Sequence, residues 1–349
     1  MKPNIYGQTE GQLRAWLSAK GKPAFAASQI INWLYVQGRR SFEEMGNLSK
    51  ALREELAASF EISLPTVALK QTSKDGTVKF LCQLHDGKQI ETVLLDHEDH
   101  NTLCISTQVG CAMACKFCRT ASMGLVRNLD ASEIIGQVLL AKEMLGPEKR
   151  LRNLVFMGMG EPLHNYDNLI RSLEILLHPK GLEYSWKRIT VSTSGLTDSI
   201  IRFWEEPTVK AMLAISLNGV TQEARKVLMP VAKRNHLEDL IAACRALPLN
   251  KRQRITFEYI LLSGVTDDAS SAKQLVALLN GIKAKVNLIP FNPDPELPFK
   301  APSQEAVREF QKILMDRGLL ATVRKSRGQD VSAACGQLAS DSQTVTIIQ

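Results

Sequence analysis

The chain has 349 residues, 44% of them hydrophobic, with seven cysteines and a net charge of +7. That length and composition favour about two domains with a full core and exclude a membrane-spanning protein, because no apolar run approaches the roughly 18 residues a bilayer helix needs. A secreted disulfide scaffold is excluded too, since the cysteines follow no paired framework and no apolar signal core follows Met1-Lys2-Pro3-Asn4. The expected compartment is a reducing, cytoplasmic one. The positive balance leans towards a polyanionic partner such as RNA, although a basic enzyme without such a partner carries the same balance.

Residues 1–62 read as a small helical accessory domain. Thr9 can cap a first helix through Leu13, Trp16 and Leu17. Ile30, Ile31, Trp33, Leu34 and Tyr35 line a second, which ends at the basic exit Gly38-Arg39-Arg40. Leu52, Leu56 and Phe60 form the stripe of a third, and Pro65 closes the block. Residues 63–100 follow as a β extension, and from Val67 to Leu95 the pattern changes to period two. Strands are expected at 77–82 and 89–95, joined through Asp86-Gly87 as a β-hairpin extension.

From residue 101 to 349 strands and helices alternate. Strands are expected at 102–107, 152–157, 187–192, 209–216, 254–261, 284–289 and 320–325. Helices are expected at 130–145, 165–177, 221–229, 236–247, 268–280 and 303–317. Repeated βα units give an α/β class with a parallel sheet, and about six of them can curl into a partial barrel. Such sheets carry their chemistry where strands end, and most of the motifs fall there.

The sharpest motif is Cys111-x-x-x-Cys115-x-x-Cys118, which follows the strand Leu103–Thr107. Three thiolates on a [4Fe–4S] cluster leave one iron open to a small molecule. A structural zinc site would need a fourth ligand, and His97 and His100 have the wrong spacing for one. Gly158-Met159-Gly160-Glu161-Pro162 follows another strand. It is either an ordinary βα turn or, beside an open iron, an edge that binds an amino-acid ligand, with Glu161 accepting from an ammonium group. Ser192, Ser216-Leu217-Asn218 and Asn292 end further strands, as helix caps or as groups converging on one ligand. Cys82 and Cys244 suit apolar burial. Cys335 follows the basic, polar stretch Arg324–Asp330, whose cations would lower a thiol's pKa; it is either a reactive thiol or a buried small residue. Arg324, Lys325 and Arg327 are candidate phosphate contacts or a solvated basic run. Glu91 sits inside a strand, and it matters only if its face meets the site.

Taken together, Gln108-Val109-Gly110-Cys111, the Gly158–Leu163 turn, Leu228-Met229-Pro230, Asn287–Pro293 and Ala333-Ala334-Cys335-Gly336-Gln337-Leu338 resemble the RlmN/Cfr family of radical S-adenosylmethionine (SAM) RNA methyltransferases. The likeness runs from about residue 20 to 340. Pro162 matches the branch that methylates carbon 2 of adenosine, where the carbon-8 branch usually has Ala. Asn218 departs from the pattern, since many members have His there. The N-terminal domain is also lean for the family.

The resemblance implies a partial (βα)6 radical SAM barrel bearing the helical domain and β extension. It implies a [4Fe–4S] cluster on Cys111, Cys115 and Cys118, and SAM contacts from Gly160, Glu161, Ser192, Ser216, Leu217, Asn218 and Asn292. Two SAM are used per turnover. The first methylates Cys335. The second is cleaved to a 5′-deoxyadenosyl radical, which takes hydrogen from that methyl group, and the carbon radical adds to the base. Cys104 resolves the RNA–protein adduct and leaves a transient Cys104–Cys335 disulfide, and Glu91 matches the proton acceptor. The implied partners are 23S rRNA and tRNA, with an electron donor such as flavodoxin, no membrane and a monomeric chain. Carbon-8 methylation and radical SAM chemistry on another substrate are the alternatives, along with a non-catalytic zinc or cluster module that binds RNA.

Overall fold

The structure is a computed structural model that describes residues 2–251 and 253–339. The N-terminal helices form where the apolar stripes place them. Helix α1 (Glu10–Ala19) is closed by a capping box between Thr9 and Gln12. Helix α2 (Ala26–Ile31) passes into a π-helical turn over Asn32–Val36. Ser49 caps α3 (Lys50–Ser59). Leu13, Leu17, Ile30, Leu34 and Leu56 are buried in the same core cluster as the sheet residues, so these helices dock on the main body. Glu10 adds a polar tie to His178 at 2.8 Å.

Next come β1 (Thr66–Thr72), β2 (Val78–Gln83), β3 (Gln89–Asp96) and β4 (Asn101–Cys104), each antiparallel to the one before. The short strands β5 (Gln108–Gly110) and β6 (Leu125–Asn128) form a separate ribbon that flanks α4 (Arg119–Ser122). The chain then alternates through α5 (Ala131–Leu145), β7 (Leu151–Phe156), α6 (Tyr166–Leu177), β8 (Ile189–Thr193), α7 (Thr197–Glu205) and β9 (Met212–Ser216). It continues through α8 (Gln222–Leu228), α9 (Leu237–Ala246), β10 (Ile255–Leu261), α10 (Ala269–Leu279), β11 (Ala284–Pro290), α11 (Gln304–Asp316) and β12 (Ala321–Val323). The sheet order is β1-β2-β3-β4-β7-β8-β9-β10-β11-β12, and β4 through β12 run parallel.

This is the expected βα architecture, with β12 as a further parallel strand beyond the sixth unit. The sheet is curled. Beyond β12, Gly328 N donates to the Asp75 carboxylate at 3.0 Å, and Ser73 Oγ donates to Asp330 at 2.5 Å. Residues 73 and 75 belong to the β1–β2 turn at the opposite edge, so the two edges approach one another.

Several elements differ from the sequence reading, which did not include β5, β6 or α4. Helix α7 lacks a side-chain cap, which hid its start. Strand β1 is mostly exposed and carries little period-two signal. Strand β3 is buried almost throughout, so Glu91 lies in the interior and not on a solvated face. No helix among the described residues is long and apolar enough to cross a membrane.

Candidate active site

The cysteine loop is built on the β5–β6 ribbon. Cys111 N donates to Gly124 O at 2.8 Å, and Gly110 has φ +75°. A Cβ at residue 110 would lie 1.8 Å from Gly124 O, so only glycine fits this approach. Lys116 N donates to Leu228 O at 2.9 Å, tying the loop to the end of α8. Cys111, Cys115 and Cys118 all line one cavity of about 180 Å³. Burial pushes the Cys111 thiol up to about 12. It also raises Cys115 and Cys118, and neighbouring thiols add to the rise in both. Three thiols on one cavity wall, Cys111 buried and Cys115 and Cys118 half-buried, are poor anions on their own and good ligands for a cationic centre. Among the described residues no group of His, Cys, Asp or Glu draws together around a single ion. A [4Fe–4S] cluster takes each thiolate on its own iron, so separated sulfurs on one wall suit it.

Across the cavity lies the Gly158–Pro162 turn. Its glycines pack against the segment that leads into the cysteine loop: a Cβ at 158 would sit 2.7 Å from Ile105 O, and one at 160 would sit 2.6 Å from Gln108 Cβ. They serve this packing as well as lining the cavity. Glu161 is buried, and its carboxylate accepts from Leu163 N at 3.1 Å and Ser194 N at 2.7 Å. Burial raises its pKa, and the hydrogen bonds pull the other way. Ser192, Ser216 and Asn218 complete this wall. Asn218 has φ +52°, a conformation asparagine tolerates, and its Oδ1 accepts from Ile260 N at 2.9 Å. Its amide oxygen therefore already joins β9 to β10.

A second cavity of about 470 Å³ adjoins the first. It is lined by Cys104, Asn287, Asn292, Lys325 and Arg327. Cys118, Glu258, Arg324 and Cys335 line both cavities. Burial pushes the Cys104 thiol up to about 12, with a further rise from Cys335 and an opposing pull from Arg324. The Arg324 guanidinium is raised by Cys335 above all, against its burial. Both thiols thus face one cation. Glu258 accepts from Asn287 at 2.9 Å.

Cys335 rides on a strap over Gly328–Ala339 that is fastened at many points. Gln329 donates to Asn292 Oδ1 at 2.7 Å, Arg119 N to Gly336 O at 2.8 Å and Thr120 Oγ1 to Leu338 O at 2.6 Å. Ala339 N donates to Glu91 Oε2 at 2.9 Å, while Glu91 Oε1 pairs with buried Lys79 at 2.8 Å.

The site residues named from sequence therefore fall in four places. Cys111, Cys115, Cys118, Gly160, Glu161, Ser192, Ser216 and Asn218 share the first cavity. Cys104 and Asn292 face the second, and Cys335 faces both. Leu217 is buried in the core, with its N–H bonded to Glu258 O at 2.9 Å. Glu91 is not among the residues lining either cavity and holds the strap from behind. Two of the basic residues read as phosphate contacts have other partners: Arg324 faces the thiols, and Arg327 donates to Asp96 O at 2.5 Å. Lys325 remains exposed at the second cavity. Glu258 was missed, because a glutamate inside an apolar strand gives no periodic signal; Lys79 was missed for the same reason.

Comparison with known proteins covers both the N-terminal helices and the βα body. Residues 3–62 match the family model described as the ribosomal RNA large subunit methyltransferase N-terminal domain, and residues 105–275 match the radical SAM superfamily. A dual-specificity RNA methyltransferase RlmN from Desulfosudis oleivorans is 49% identical over 97% of this chain and 91% of its own length. Another with that name, from Geobacter sulfurreducens, is 48% identical over 96% of this chain and 91% of its own. The crystal structure of a radical SAM methyltransferase from Sphaerobacter thermophilus superposes with a TM-score of 0.90 at 43% identity, covering 96% of this chain and 99% of that one. The superfamily in general uses SAM and a [4Fe–4S] cluster, which the three cysteines fit. With its N-terminal helices, cysteine loop and sheet all matched, the chain belongs to the RlmN family of radical SAM methyltransferases.

Proposed function

We propose that this protein methylates carbon 2 of an adenosine in 23S rRNA and in tRNA, using Cys335 as a methyl carrier. The supporting observation is that Cys335 lines both cavities, one with the three cluster cysteines and one with Cys104. Carbon 2 of adenine is electron-poor and has no lone pair with which to displace a methyl group from SAM. When bound, the cluster and SAM supply hydrogen-abstracting radical chemistry. Cys111, Cys115 and Cys118 hold the cluster, and Glu161 with Ser192 and Ser216 receives the amino-acid end of SAM.

Two SAM are consumed in each turnover. The Cys335 sulfur, which lines the cavities beside the Arg324 guanidinium, takes a methyl group from the first by displacement, losing its proton as S-adenosylhomocysteine leaves. Use of the second would remove one hydrogen from the methyl; the methylene carbon then bonds to carbon 2, the carbon-2 hydrogen leaves as a proton, and the adduct's unpaired electron would return to the oxidised cluster, which restores the aromatic ring. Cys104 sulfur attacks Cys335 sulfur. A disulfide forms, the sulfur–carbon bond breaks, and the electron pair stays with the methylene carbon, which picks up a proton to become the product methyl. A cellular thiol reduces the disulfide, and a donor such as flavodoxin supplies the electron that reduces the cluster. Lys325 and the accessory helices meet the RNA phosphates.

The test is anaerobic incubation of reconstituted, reduced protein with methyl-labelled SAM and each RNA, followed by mass spectrometry of the nucleosides. Labelled 2-methyladenosine is the expected product. Labelled 8-methyladenosine, or unlabelled RNA beside an active cluster, would overturn the assignment.

A further inference from the structure

Arg225, in α8, is a cation without an anion. It is 0% exposed and among the largest fully buried side chains. Nη2 donates to Ser194 O at 3.0 Å, while Nε and Nη1 have no partner. No carboxylate pairs with it among the described residues. The fold encloses it closely. A Cβ at Gly195, where φ is +99°, would lie 3.2 Å from Nη2, and one at Gly219 would lie 3.0 Å from Cγ. Enclosing an unpaired guanidinium costs on the order of several kcal/mol. Among the described residues only the Ser194 carbonyl offsets part of that cost.

The anion it can face is a cluster ligand. Cys115 packs against the apolar cluster that contains Leu228, the last residue of the same helix, and Lys116 N bonds to Leu228 O at 2.9 Å. Cys115 and Cys244 are both electrostatic neighbours of Arg225; burial pushes the Cys244 thiol up to about 12, so Cys115 is the one that a bound cluster would hold as an anion. Arg225 is not among the residues lining the SAM cavity, whereas its partner Ser194 is. It stands behind the wall, out of reach of the ligand. A cluster held by three thiolates carries net negative charge, and reduction adds more. A fixed cation in a low-dielectric wall favours the reduced form.

We infer that Arg225 is a built-in counter-charge for the iron–sulfur cluster, acting through its Cys115 side to raise its reduction potential. The inference rests on the cluster reading above and makes Arg225 a positioning residue for charge rather than a ligand.

Redox titration monitored by electron paramagnetic resonance tests it on reconstituted wild type, Arg225→Lys and Arg225→Met. At a fixed potential the reduced-to-oxidised ratio of Arg225→Met is expected to fall on the order of tenfold, which is about 59 mV for a one-electron couple. Arg225→Lys, which keeps the charge, stays close to wild type. The apo proteins supply a second readout. Without the cluster, Arg225→Met melts above wild type, because a buried unpaired charge has gone. An unchanged potential in Arg225→Met overturns the inference, as does an apo variant that melts below wild type. Should Arg225→Met take up no cluster, its apo melting temperature decides: a rise supports the role and a fall refutes it. Wild type that binds no iron and sulfide would instead refute the cluster reading itself.

Discussion

At residue 335 the chain places a thiol on the wall of two cavities, beside a guanidinium that also faces Cys104. Replacing Cys335 by Ala is expected to abolish methyl transfer while iron and sulfide contents stay at wild-type levels. Replacing Cys104 by Ala should leave RNA covalently attached to protein, seen as a slow band on a denaturing gel; clean turnover by that variant would remove Cys104 from the reaction. Gly110 shows how a motif can encode local geometry. An Ala there meets Gly124 O and a left-handed backbone at once, and should cost about 2 kcal/mol or more with loss of cluster loading. Iron analysis and a thermal melt check both effects. The cysteine spacing was legible because ligands must be local to one loop. Arg225 and Arg324 were not, because a buried cation and a solvated one look alike until the fold brings thiols to them.

At the scale of elements, the strap and the β2–β3 hairpin form one device. Lys79 in β2 pairs with Glu91 in β3, and Glu91 holds Ala339 N at the far end of the strap. Lys79 also reaches Ser332 O at 3.5 Å. Removing Lys79 takes its cation away from the buried Glu91 carboxylate, a loss of about 3–5 kcal/mol by the behaviour of such pairs. Lys79→Met should therefore release the strap to limited proteolysis and slow methyl transfer with the cluster intact. The double variant Lys79→Met with Glu91→Gln should recover most of the stability; additive losses would contradict the pairing. Hairpin strands and βα alternation were readable from periodicity, and so was the strand-end location of the motifs. The pairing of residue 91 with residue 339 was not, since contacts across such a separation leave no periodic trace. The family likeness implied a proton acceptor at Glu91; its carboxylate lies against Lys79 and Ala339 N.

Across the whole molecule, one core joins the N-terminal helices to the curled sheet, and polar ties fix their mutual placement. Glu10 is the clearest of these. Burial alone would raise its pKa, but hydrogen bonds from His178, Ser28 and Arg14 outweigh that and hold it at about 2, below the ordinary 4.5. A folded pKa below the unfolded one gives stability above the unfolded value that is lost as pH falls through the folded one. Urea unfolding of wild type and Glu10→Gln should differ above pH 4.5 and converge as pH approaches 2. A constant difference across that window would sever the link. The division into a helical unit, a hairpin and a βα body was visible from composition and period. The curl that carries the strap back to the first hairpin was not, because it depends on twist accumulated over the whole sheet.

The central claim is that a methyl group passes through Cys335 on its way to RNA. Trypsin cleavage after Arg327 isolates a peptide starting at Gly328 in which Cys335 is the sole cysteine. Mass spectrometry of that peptide, after anaerobic incubation with methyl-labelled SAM and no RNA, measures the claim directly. The account requires the label on Cys335, and its transfer to the nucleoside when RNA is then added with unlabelled SAM. An unmodified Cys335 in protein that nonetheless methylates RNA would contradict it.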